Sequence, residues 1–409
     1  MKRIFIILIC LVATTQLHAQ VVDPADATKT GATDHANTDI SNSVDNGLNK
    51  TESAIKGFFK KKKKTAPPAQ ASQPAASTQA TTGGNASSTG TMKDYKNYDF
   101  TPGTKIIFQS NLADERTGEI PSQFVLENGQ MDIQQEDGEN VIHVPPGQGA
   151  TMTPRMKNTS YMPDQFTIEF DFKNEKFGIG HLYVDFGGRV YYAEKEGVMP
   201  GMSFSTDNAI SWTLGDVGFP NGLDINYNHP MQWHHVAIAI NKNVGKVYVD
   251  QYRVANVNNL KGKAQNVTID VSGYENSWVK NIRVASGGID IYKQATTDAK
   301  IVTHGILFDI DQASIKPESM GTINTIVDIL KKNPALKYEI DGHTDNTGNA
   351  PHNLTLSQQR ADAVKAQFVS MGIDASRLTT KGFGDSKPIS DNTSPEGKAN
   401  NRRVEFVKI

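Results

Sequence analysis

Cysteine is almost missing. Cys10 is the only one among 409 residues, and it falls inside the N-terminal stretch MKRIFIILIC LVATTQLHAQ. There Lys2 and Arg3 form a positive head, Ile4 to Val12 an apolar run, and His18-Ala19 precede a cut before Gln20, the pattern of a secretory leader. It is too short for a membrane span, and the lack of small residues before Cys10 speaks against lipidation there. Without the leader the chain has no thiol, so disulfides, thiolate metal ligands and cysteine nucleophiles are excluded together. An exported chain of this kind must be held by apolar cores alone. No later stretch approaches a run of 18 apolar residues, so no spanning helix is expected. Basic excess is lacking too: the net charge of −2 becomes −4 once Lys2 and Arg3 leave, which argues against nucleic acid as a partner.

Residues 20–92 lack apolar residues for a core. From Thr65 to Thr91 the chain is almost wholly Pro, Ala, Ser, Thr, Gln and Gly, and such a segment is expected to be a disordered linker. The five lysines Lys60–Lys64 precede it. They read as a solvated charge run, ahead of attachment to an anionic lipid or wall polymer.

From Lys93 to Val284 helical periodicity is absent. FTIEFDF (166–172) alternates, with Phe166, Ile168, Phe170 and Phe172 on one face and Thr167, Glu169 and Asp171 on the other, expected in solvent. WHHVAIAI (233–240), the turn NKNVG and KVYVDQYRVA (246–255) read as a hairpin. Many short strands over this length predict an all-β sandwich at 93–295. QWHHVAIAINKNVGKVYVDQYRVAN resembles the strand pair of laminin-G and concanavalin-like jelly rolls, although Gln251 stands where glycine usually follows the aspartate. The resemblance implies a jelly-roll domain with a glycan or protein ligand; the fold alone names none. Glu169, Asp171 and Glu175 loosely resemble the acidic triplet of jelly-roll glycosidases, but the spacing to Glu175 is too long. His234 and His235 point to opposite faces of a strand and cannot share a metal.

Residues 296–409 read as α+β. GILFDI (305–310), LKYEIDGHT (336–344), RLTTKGF (377–383) and RRVEFVKI (402–409) are expected strands. A first helix over 317–334 carries Met320, Ile323, Val327 and Leu330 on one face, with Pro317 in its first turn. A second, over 353–372, carries Ala361, Val364, Phe368 and Met371 and stops at Gly372. The order βαβαββ places helices on one side of a mixed sheet.

FDIDQASIKPES, EIDGHTDNTGNAPHNLTLSQQRADAV, KGFGDSKPISDN and NRRVEFVKI resemble, in order and over the whole domain, the OmpA-like domain of OmpA, peptidoglycan-associated lipoprotein and MotB. The resemblance implies non-covalent binding of peptidoglycan through the diaminopimelate of its stem peptide, with Asp345 and Arg360 as main anchors and Asp309, Thr347 and Asn353 lining the pocket. The residue chemistry agrees. Asp345 lies in a Gly-flanked loop after a strand, and Arg360 lies just inside the next helix. A carboxylate and a guanidinium held apart suit a zwitterion, and the helix start offers N–H groups to a carboxylate. His343 reads as a buried residue hydrogen-bonding the loop, Arg402 and Arg403 as one structural ion pair and one cleft residue. No motif supplies the three or four ligands of a metal site, and no cofactor is expected. The chain therefore reads as an exported, non-catalytic envelope protein of the periplasm, peripheral to the outer membrane. The rival readings are a carbohydrate-active enzyme or lectin with an anchor, and an outer-membrane barrel; the barrel lacks its aromatic girdles.

Overall fold

The computed structural model describes residues 91–409, apart from 176–180, 188, 191–192, 195, 206–208, 213–215, 224, 226–230, 273 and 288–290. The expected leader over 1–19, and the linker from 20 to residue 90 with Lys60–Lys64, lie outside the described residues. Among those described, no helix is long and apolar enough to cross a membrane.

The alternating stretch 166–172 lies at the centre of an antiparallel sheet. Gln165–Asn174 pairs with His234–Asn241 on one side and with Ser277–Ser286 on the other. This sheet has eight strands and a second has seven. Their facing apolar side chains, among them Phe166, Ile168, Phe170 and Phe172 from the first and Leu182, Val184, Met202 and Phe204 from the second, form one core. The hairpin differs from expectation. The stretch 246–255 is split between two strands, Val244–Val249 and Tyr252–Asn258, because Asp250 turns the chain at φ 49°. The Asp250 carboxylate holds that turn, accepting the His235 N–H at 2.9 Å and meeting His234 Nδ1 at 2.8 Å.

The second domain begins with helix α1 (Ile291–Thr297) and strand β1 (Lys300–Thr303). Helix α2 (Met320–Lys332), strand β2 (Tyr338–His343), helix α3 (Ala350–Ser370), strand β3 (Leu378–Gly384), helix α4 (Pro395–Asn401) and strand β4 (Val404–Lys408) follow. The sheet order is β1-β4-β2-β3, with only β2 and β3 parallel. The expected strand 305–310 is not one. Lys300–Thr303 takes the edge of the sheet against β4, and the chain then peels away, held where the Ser319 hydroxyl accepts the Leu307 N–H and donates to its carbonyl. The first helical stripe is buried as expected, Met320, Ile323, Val327 and Leu330 from α2, and so are Ala361, Val364 and Phe368 from α3; Met371, at the C-cap of α3, is only half-buried. Helix α3 lies close on β2 and β3. A Cβ at Gly342 would stand 2.2 Å from the Ser357 carbonyl, and one at Gly382 would stand 2.4 Å from the Gln358 nitrogen.

The face of 166–172 expected in solvent is not solvated. Thr167, Glu169, Asp171 and Lys173 are all buried, and the second domain shares the core that covers part of this face. Ala237 and Tyr248 of the sandwich pack in one cluster with Ile291, Ile301, Ile306 and Met320. The segment 95–100 is wedged between them. Asp99 accepts bonds from Lys246, Tyr248 and Arg253 on the sandwich side, while Asn324 of α2 donates to the carbonyls of Lys96 and Tyr98. Gly321 permits the contact: a Cβ there would lie 1.7 Å from the Phe100 carbonyl. Glu169 and Asp171 face this junction, where Asp171 meets His235 Nδ1 at 2.7 Å and accepts from Asn281. Both carboxylates are buried, whereas Glu175 is half-exposed.

Burial disfavours the His235 cation, but Asp171, with Glu318 and Glu169 behind it, holds its pKa up at about 9. Burial also raises Glu318, which sits at the start of α2. A raised histidine stabilises the fold fully below its unfolded pKa of about 6.5 and loses that contribution as pH rises through about 9. A raised carboxylate adds a cost as pH climbs above its unfolded value. Thermal melts should therefore fall by about 4 °C between pH 7 and pH 9.5, and His235→Asn should flatten that slope. An equal slope in both proteins would remove His235 from the account.

Candidate functional site

Strand β2 ends at His343, and the polar loop that follows turns back into α3. Asn349 caps that helix by accepting the His352 N–H at 3.0 Å, and Gly348 makes the preceding turn at φ 87°. Asp345 is buried at this rim. One carboxylate oxygen accepts the Thr347 N–H at 2.8 Å, and the other accepts Arg402 Nη1 at 2.5 Å. Burial works against its charge, yet Arg402 and the Thr347 amide hold its pKa below the usual carboxylate range.

The five expected residues take different parts. Arg360 does not pair with Asp345. Its Nε donates to the Gln312 carbonyl at 2.9 Å and its Nη2 to the Asp309 carbonyl at 3.3 Å, while the guanidinium lies over Phe308, 4.9 Å from the ring centre. Asp309 thus enters through its backbone. Thr347 is exposed and contributes its amide; Asn353 is buried and braces the loop by donating to the Asp345 carbonyl at 3.3 Å. Arg360 still feels the site: burial lowers its pKa, and the charge of Arg402 lowers it further. The rim therefore holds one carboxylate and two guanidiniums.

Arg402 and Arg403 divide as strand alternation requires. Arg403 is buried against Glu405 at 2.7 Å, and Arg402 points outward to Asp345. The signal in the sequence was this adjacent pair at a strand entrance, which says that one points outward but not which. A second contact was not legible: His352 Nε2 meets Asp311 Oδ1 at 2.5 Å, joining the first turn of α3 to the loop that carries Gln312.

His343 departs from expectation. It is buried, but neither ring nitrogen has a hydrogen-bond partner; the ring instead stacks on Phe383 at 5.2 Å and 5°. Burial and the nearby Arg403 charge push its pKa down to about 4. Asp341, His343 and Glu405 are close enough to hold a metal ion, with ligand atoms within 4.8 Å of one another. Both Glu405 oxygens are already engaged, one by Arg403 and one by Lys300 at 2.7 Å each. Those two cations stand beside the position a divalent ion would take, so the protein neutralises this carboxylate itself.

Arg402 is thus the main charge that lowers the Asp345 pKa. Arg402→Ala should move the Asp345 pKa up toward 3.8, read from its side-chain carboxyl carbon by NMR titration. An unmoved pKa would show that the Thr347 amide suffices.

Comparison with known proteins finds matches to the same stretch of the chain. The model of the OmpA family matches residues 307–402. Over 120 residues the chain is 37% identical to the probable lipoprotein YiaD of Escherichia coli K12, covering 29% of this chain and 55% of the relative. Over 107 residues it is 43% identical to the peptidoglycan-binding protein ArfA of Mycobacterium tuberculosis, covering 26% of this chain and 33% of the relative. The chain therefore spans about half of the first relative and a third of the second. Among solved structures, the peptidoglycan-associated lipoprotein of Burkholderia pseudomallei is 26% identical, with a TM-score of 0.26, over 29% of this chain and 98% of that one. Residues 307–402, which carry the Asp345, Arg360 and Arg402 rim, form an OmpA family domain.

Proposed function

We propose that the chain is a non-catalytic envelope protein that anchors to peptidoglycan by gripping the free amino-acid end of diaminopimelate. The observation that carries this reading is the rim itself: a buried carboxylate kept ionised, with two guanidiniums that have donors to spare. Asp345 takes the ligand ammonium, sharing its charge between that group and Arg402. Arg360 and Arg402 take the ligand carboxylate, through planar donor edges that match it. Asp309 and Gln312 aim Arg360 through their carbonyls, and Thr347 and Asn353 hold the Asp345 loop. Preorganisation of this kind lowers the ordering cost of binding.

Relatives that carry the domain are named as a lipoprotein, outer membrane porins and a peptidoglycan-binding protein, which supports a place at the outer membrane and periplasm. The preceding domain is a concanavalin- or laminin-G-like jelly roll, and it presents a site for glycan or protein from the wall-bound chain.

Pull-down with isolated sacculi, competed by free meso-diaminopimelate, tests the grip. Asp345→Asn and Arg360→Ala each remove a charge-assisted contact of about 1.5–3 kcal/mol, so affinity should fall tenfold or more in each with an unchanged circular dichroism spectrum. Full retention in both variants, or no competition by the free amino acid, would overturn the reading.

A further inference from the structure

The wall-binding rim and the β-sandwich share a piece of structure. Helix α4 has seven residues and leads directly into Arg402. Four of its residues, Gly397, Ala399, Asn400 and Asn401, are buried, and they look in two directions. Toward the second domain's own loop, Asn401 accepts the N–H groups of Ile389 and Ser390 and donates to the Ser390 carbonyl. Toward the sandwich, Ala399 packs in a small apolar cluster with Ile106 and Ala285.

Asn400 makes the decisive contact. Its Oδ1 accepts the Ile106 N–H at 3.0 Å, and its Nδ2 donates to the Ile106 carbonyl at 3.2 Å. One side-chain amide thus satisfies both backbone groups of a residue in the sandwich strand Lys105–Gln109, 294 positions earlier in the chain. The Asn400 carbonyl meets His304 Nε2 at 2.9 Å, and the His304 carbonyl accepts from Arg283 of the sandwich at 3.5 Å. Burial keeps His304 neutral, with a pKa of about 4, so its ring can donate to that carbonyl without carrying charge. The Arg402 N–H closes the helix on the Lys398 carbonyl. The Arg402 side chain, by contrast, is exposed, and among the described residues its one hydrogen bond is to Asp345.

We propose that the sandwich positions the wall-binding rim: Asn400, clasped to Ile106, seats α4 and thereby sets where Arg402 meets Asp345. This rests on the assignment of the rim as the diaminopimelate site. Asn400 is a positioning residue, since it touches Arg402 only through the helix end. Its amide is suited to the task. Removing it strands two backbone groups in a buried contact, which relax only if the strand and helix separate.

The test uses the full chain and two readouts. Asn400→Ala should weaken binding to isolated sacculi about three- to tenfold, the effect of about one lost hydrogen bond. It should also move the Asp345 pKa upward, as Arg402 drifts away from it. A merely structural defect would lower yield or melting temperature without moving that pKa. Unchanged sacculus binding would overturn the proposal, and so would weaker binding with an unmoved Asp345 pKa. Asn400→Asp keeps the acceptor for the Ile106 N–H and loses the donor to its carbonyl; it is read by the same criteria if the alanine variant does not fold. Failure of the wild-type protein to bind sacculi would sink the wall-binding assignment, whereas the Asp345 titration would still decide whether Asn400 acts on Arg402.

Discussion

The ion pair between Asp171 and His235 sits where the sandwich meets the second domain, sealed from water beneath the start of α2. Removing two charges from solvent is costly, and the cost is offset only when partners and hydrogen bonds are complete. Here the compensating charges come from both domains. Asp171, Glu169, His235 and Asn281 come from the sandwich, and Glu318 comes from the second domain and lends its charge to His235. A junction of this kind tolerates one register. A slip of either partner would leave a buried charge unpaired, whereas a purely apolar junction would accept several alignments at similar energy. The aromatic wedge Tyr98–Phe100 and the small residues Ala237 and Gly321 supply the packing, and the charges supply its uniqueness.

The sequence disclosed individual elements better than their surroundings. Both long helices were legible because an apolar stripe at helical spacing has one physical outcome. The phenylalanines of 166–172 were legible for the same reason. What alternation could not disclose is the fate of the opposite face: a row of Thr, Glu and Asp is equally consistent with water and with a charged junction. Ala237 and Ala239, between larger apolar residues of the same strand, were a hint that something approaches closely there. The stretch GILFDI misled because its composition suits a strand, while the sheet edge was already filled by Lys300–Thr303. Freed from the sheet, 307–312 became the loop whose carbonyls receive Arg360.

The same reasoning explains why the rim was half legible. Asp345 and Arg360 each stood out, one by its loop and one by its place beside a helical stripe. Their relation was not readable, because a long arginine can turn toward a carboxylate or toward two carbonyls, and the choice depends on a loop whose path was unknown. Arg402 lies 57 residues from Asp345, and the register of β4 against β2 brings their stretches of chain side by side. Asp345 binds more strongly to Arg402 than a solvent-exposed pair would, since its carboxylate is buried. If the rim holds a ligand, its ammonium meets a charge already shared with Arg402, and a carboxylate beside it would occupy the arginines. That arrangement favours a zwitterion over a simple amine.

Residues 20–90 have the composition of a flexible linker. Beyond them the chain behaves differently. The segment from 91 to 104 does not separate two independent bodies. It is bonded to the sandwich through Asp99 and to α2 through Asn324. If the rim holds peptidoglycan, the sandwich cannot tumble freely over the wall, because the contacts that fix α4 also fix the first strand of the sandwich. Whatever the sandwich meets is then met at a set orientation to the polymer.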